Sequence, residues 1–133
     1  MNFISRDTDY AVRALVYMAK SEKKSGIITV DEIVEKEGLP ERFLRRLLQK
    51  LVKKKLLRSY KGKEGGFSFL KSPKEIKLTD VINVFQGKVK LTNCFLKGRV
   101  CPERKRCVLR KKLTKIGNSV NRELENITIA SLS

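Results

Sequence analysis

Histidine is absent from this chain, which removes both the commonest general base and the commonest nitrogen ligand for a metal. No nucleotide-binding glycine motif accompanies the cysteines, so the chain is not expected to be an enzyme. No apolar run approaches the ~20 residues that span a bilayer, and no membrane partner is expected. The opening MNFISRDTDY lacks the apolar stretch of a signal peptide, which places the protein in the cytoplasm. Cysteine is sparse as well. Three thiols, an odd number, among cytoplasmic reductants do not make a disulfide framework, and metal binding or a reactive thiol is the better reading. Acids are scarce too: 14 against 31 lysines and arginines give a formal charge of +17. Such a charge repels itself unless an anionic partner neutralises it, and nucleic acid is the leading candidate.

At 133 residues and 41% apolar content, the chain has material for one compact core with an appendage. From Thr8 to Ser21, Ala11, Val12, Leu15, Val16, Met18 and Ala19 recur at helical steps, predicting a first amphipathic helix. Gly26 breaks the pattern, and Thr29 with Glu32 has the spacing of a capping box opening a second helix to about Lys36. Gly38 ends that helix. Pro40 suits the opening turn of the next, which carries Phe43, Leu44, Leu47, Leu48, Leu51 and Val52 on one side. The stretch LLRSYKGKEGGFSFLKSP predicts a β-hairpin with a glycine-rich tip, and Thr79 is placed to cap a short helix, DVINVFQ, stopped by Gly87. The fold class is therefore mainly α with a small β-hairpin wing: a winged helix-turn-helix followed by a long C-terminal helix. The expected division is 1–87 for DNA binding, 88–107 for a cysteine-containing loop, and 108–133 for the dimerisation helix and tail. In that last part Leu109, Leu113, Ile116, Val120, Leu124 and Ile127 form one stripe. Its cheapest partner is the same helix of a second chain, with packing on helix one of the same chain as the alternative.

Between Glu41 and Lys63 there are ten basic residues and one acid, a local charge of +9. A helix held by its apolar stripe can lay its basic face in the major groove, with Arg42, Arg45 and Arg46 at the bases and Lys50 alongside. A solvated surface explains the lysines, but it does not explain an arginine-rich first turn, where the helix dipole disfavours positive charge. Lys61 and Lys63 flank Gly62 at the hairpin tip and can reach phosphates or the adjacent minor groove. Cys94, Cys101 and Cys107 lie at spacings wider than the usual C-x2-C zinc pairs, and thiolates favour clusters of iron and sulfide. The cations around them, from Lys97 to Arg106, stabilise thiolates.

Taken in order, TDYAVRALVYMA, TVDEIVEKEGLPERFLRRLLQKL, RSYKGKEGGFSF, EIKLTDVINVFQG, the three-cysteine loop and ENITIASL resemble the Rrf-two family of winged-helix transcription regulators over nearly the whole chain. The resemblance is to the iron–sulfur branch, of IscR and NsrR type. It implies a homodimer joined by the C-terminal helices, a palindromic double-stranded DNA operator, and a cluster whose loss or oxidation changes DNA affinity. In the IscR type a histidine three residues after the third cysteine completes the site, and here Arg110 stands there. In the NsrR type an aspartate before the first helix supplies the fourth ligand from the other subunit, a place that Asp9 matches. Asp9 also has a plainer role, complementing the positive end of helix one. The expected cofactor is an iron–sulfur cluster, 4Fe-4S ranked ahead of 2Fe-2S. The expected function is a DNA-binding regulator, a repressor sensing nitric oxide, redox state or iron–sulfur supply. The alternatives are a metal-free thiol regulator, or a basic nucleic-acid-binding protein without regulation.

Overall fold

The computed structural model describes residues 4–21, 24–63, 65–87 and 108–133. Its elements run α1 (Arg6–Lys20), α2 (Val30–Glu37), α3 (Glu41–Lys53), β1 (Leu57–Tyr60), β2 (Gly66–Phe69), α4 (Leu78–Phe85), α5 (Val108–Glu125) and α6 (Ile129–Leu132). The mainly helical fold with a two-stranded antiparallel hairpin is as the sequence patterns predict. Cys94, Cys101 and Cys107 lie outside the described residues.

The expected start of α1 at Thr8 is corrected to Arg6. Ser5 is the N-cap, its Oγ accepting from the Thr8 backbone N at 3.2 Å. Thr8 is instead fully buried, and its hydroxyl donates to the Gln86 side-chain oxygen at 2.8 Å. The Thr29–Glu32 capping box forms as expected: Thr29 Oγ1 accepts from Glu32 N at 3.2 Å, and Glu32 Oε2 accepts from Thr29 N at 3.1 Å. Gly38 then takes the left-handed conformation, φ 65°, that ends α2 and turns the chain into α3.

Four leucines of α3, Leu44, Leu47, Leu48 and Leu51, are wholly buried. Most of them join Ala11, Ala14 and Leu15 of α1, Ile33 of α2 and Val81 of α4 in the main core. That burial fixes the rotation of α3 about its axis and turns its basic side outward. The hairpin pairs Leu57 with Phe69 and Tyr60 with Gly66, and Phe67 of β2 bonds both ways with Ile28, each at 2.8 Å. The wing is thereby stitched to the segment that leads into α2. A side chain on Gly66 would run into the Ile28 carbonyl, so that crossing needs glycine.

Thr79 is not the cap of α4: the helix begins at Leu78, with Lys77 as N-cap donating its backbone N–H to Asp80 Oδ2 at 2.9 Å. Long-range pairing decides this start. Leu78 N donates to the Ile127 carbonyl at 2.8 Å, and Ile129 N to the Ile76 carbonyl at 2.9 Å, so the end of the chain clamps the entry to α4. Ile129 is fully buried in the main core beside α1 residues, which makes residues 127–132 structural partners of the N-terminal elements. The stripe on α5 divides. Leu124 is buried with Ile82, and Val120, Ile127, Leu78 and Ile4 pack around them, whereas Leu109 and Ile116 are 66% and 51% exposed. Leu113 and Val120 are half-buried.

Candidate nucleic-acid interface

The apolar stripe of α3 points into the core, and at about 100° per residue the opposite side belongs to Arg42, Arg46, Gln49 and Lys53. All four are exposed, as are Arg45 and Lys50. Their surroundings differ. Arg45 is drawn along the helix by Glu41, Nη2 to Oε1 at 3.1 Å. Arg46 lies over the Phe43 ring, 5.0 Å from its centroid, and Phe43 in turn meets Tyr10 edge to face at 5.6 Å. Lys50 sits 6.0 Å from the centre of the Phe85 ring. Arg46 and Lys50 are therefore held on the side of α3 that meets α1 and α4. Arg42 and Gln49 make no side-chain hydrogen bond or ion pair among the described residues.

On the other side of α3 a cleft of about 470 Å³ separates the helix from the wing. Arg45 and Gln49 form its helix wall, Tyr60, Lys61 and Lys63 its wing wall, and Thr29 and Asp31 close the end at α2. The structure thus brings Arg45, Lys61 and Lys63 to one groove, although the cleft's lining also includes one acid, Asp31. Tyr60 is steadied by Ser68, whose Oγ donates to its Oη at 3.2 Å. That bond, with a smaller contribution from Arg58, holds the phenol below the usual tyrosine value against slight desolvation. Gly62 at the tip has φ 99°, a conformation that lets the loop turn within a few residues. Gln49 was missed by a search for charge. Its signal was positional: four residues after Arg45 and seven after Arg42, on the same side.

Asp9, expected before the first helix, lies inside the first turn of α1, because the helix is capped at Ser5, and its Oδ2 accepts from Arg13 Nε at 3.1 Å in a half-exposed pair. Among the described residues, no group of three or more histidine, cysteine or acidic side chains is placed to hold a metal. Nor is any described helix long and apolar enough to cross a membrane. On α5, Ile116, Val120 and Leu124 line a shallow apolar groove of about 340 Å³.

A helix-turn-helix whose second helix shows a cationic side, followed by a hairpin with lysines at its tip, defines a winged-helix DNA-binding protein. The chain belongs to the Rrf2 family: residues 4–133 match the family model described as an iron-dependent transcriptional regulator. It is a transcriptional regulator, not an enzyme. Among its relatives, protein aau3 of Rhizobium meliloti is 32% identical over 130 residues, covering 97% of this chain and 83% of that protein. The structure of T. potens IscR matches with a TM-score of 0.75 at 27% identity, over 97% of this chain and 84% of that one. CymR, the global cysteine regulator of B. subtilis, shares the fold with a TM-score of 0.78 at 23% identity, over 99% and 96%.

Proposed function

We infer that the protein is a homodimeric repressor that binds a palindromic operator through α3 and the wing, and that an iron–sulfur cluster on Cys94, Cys101 and Cys107 sets its affinity. The observation that carries the cluster is the donor set itself: three thiols within fourteen residues, flanked by cations that favour thiolates, in a family described as iron-dependent. The resemblance to T. potens IscR supports the same reading. The sensed signal is nitric oxide, redox state or iron–sulfur supply. The dimer rests on Leu109 and Ile116, more than half exposed among the described residues, with half-buried Leu113 between them and Val120 and Leu124 lining one groove with Ile116.

Asp9 from the second subunit is the proposed fourth ligand. Its present partner does not forbid this, because an exposed ion pair such as Asp9–Arg13 contributes only ~0–1 kcal/mol. A carboxylate binds iron more weakly than a thiolate and leaves that corner open to a small signal molecule. Anaerobic purification tests the reading through visible absorption together with iron and sulfide assays. Bound iron and sulfide are expected, with a changed spectrum and faster decay in Asp9→Ala. A colourless protein in which Cys101 and Cys107 oxidise to one disulfide would replace the cluster with a metal-free thiol sensor. An unchanged Asp9→Ala cluster would return Asp9 to the end of α1.

A further inference from the structure

The side of α3 that faces away from the core is cationic except for one neutral residue, Gln49. It is exposed, it lines the helix wall of the cleft beside the wing, and its amide has no partner among the described residues. A lysine at this place would add attraction to phosphate, which is blind to sequence. An amide adds almost none. What a glutamine carries instead is a donor and an acceptor side by side, the complement of adenine N7 and N6–H2 in the major groove. Arg42 and Lys53 on this face also have no side-chain partner among the described residues; of the two, Arg42 stands in the first turn of the helix, and its planar guanidinium matches guanine O6 and N7. Arg45 and Arg46 are each engaged, by Glu41 and by the Phe43 ring.

Seven residues separate Arg42 from Gln49, two helical turns that keep both on one side of the helix. At 1.5 Å per residue they stand about 10.5 Å apart along the axis, and at 3.4 Å per base pair that is a span of about three base pairs. We propose that Arg42 and Gln49 are the base-reading pair of this regulator, Arg42 on a guanine and Gln49 on an adenine about three base pairs away in each half-site. Arg45, Lys61 and Lys63 then grip the sugar–phosphate strand that runs between recognition helix and wing. This assignment rests on the operator-binding reading above and adds to it the class of sequence that the helix selects.

The test is selection from a library of randomised duplexes with the full-length protein, followed by binding measurements on the selected site and on its single-base variants. The expected half-site holds a guanine and an adenine about three base pairs apart. Gln49→Ala should bind the selected site about tenfold more weakly and lose its preference at the adenine alone. Gln49→Glu should move the preference at that position to cytosine, whose amino group a carboxylate accepts. Arg42→Ala should lose the guanine and keep the adenine. Because both positions are exposed on a helix, neither change should alter the circular dichroism or the melting temperature. A selected half-site without this pair, or a Gln49→Ala loss equal on all sequences, overturns the assignment and leaves operator binding intact. A protein that selects no sequence at all overturns both.

Discussion

Two helices of this chain, α3 and α5, are built alike and packed differently. Both carry basic residues in the first turn, where the helix dipole disfavours them, and both bear an apolar stripe. In α3 the four stripe leucines are wholly buried in the chain's own core, so the direction in which the basic side faces is fixed. In α5 only the C-terminal part of the stripe, at Leu124, finds a home against α4, while Leu109 and Ile116 stay more than half exposed. A stripe fully satisfied at home frees the opposite face to bind something else. A stripe left half open is the surface on which the proposed dimer would form.

That contrast is broken most severely if the charge on α3 is idle. Two such faces in a dimer should displace counterions from roughly six to ten phosphates, so affinity should fall by about 10³ to 10⁵ between 50 and 200 mM salt. A fluorescence-anisotropy titration across that range measures it, and a flat response would remove nucleic acid as the partner of α3.

The next test sets the two stripes against each other. Ile116→Glu should leave the fold intact and abolish the dimer, because a charge buried unpaired in an apolar seam is costly. Operator affinity should fall by about 10² to 10⁴ once the two half-sites are no longer bound together. Leu47→Ala should do the reverse, lowering stability by about 2 to 5 kcal/mol through the cavity it leaves while preserving the dimer of whatever remains folded. Analytical ultracentrifugation and thermal melts separate the outcomes. A dimeric Ile116→Glu protein that still binds its operator would show that α5 pairs elsewhere.

The helices were legible because their signals are local: the capping box at Thr29 and Glu32, the glycine at 38, and the leucine spacing of α3 each follow from residues a few places apart. The start of α4 was not, since Lys77 rather than Thr79 is set by pairing with Thr128, fifty-one positions along the chain. The end of α3 was hidden for a different reason: Lys55 adopts φ 62°, the left-handed conformation usually left to glycine, so no glycine marks the stop. The same division runs through the candidate site. Charge density marked Arg42, Arg45, Arg46, Lys61 and Lys63, but only packing shows that Phe43 holds Arg46 on one flank and that Arg45 shares a cleft with the wing. Gln49 carries no charge, and position alone reveals it.

The smallest expected effects separate those two arginines. Arg45 lines the cleft beside Lys61 and Lys63, where a backbone strand would pass, so Arg45→Ala and Lys63→Ala should weaken operator and random DNA alike and each lower the salt slope by about 1. The Glu41 pair that Arg45 gives up is exposed and contributes only about 0.3 to 0.5 kcal/mol, so its melting temperature should hardly move. Arg46 stands on the Phe43 ring, away from that cleft, and the ring itself leans on Tyr10. Its replacement by alanine should cost about 0.5 to 1 kcal/mol of stability through the lost cation–π contact, with less effect on binding than Arg45→Ala. Melting curves and salt titrations on the three variants measure both quantities. Equal binding losses at Arg45 and Arg46, with no difference in stability, would mean that the two flanks of α3 are equivalent toward DNA and that the cleft beside the wing has no special part in holding it.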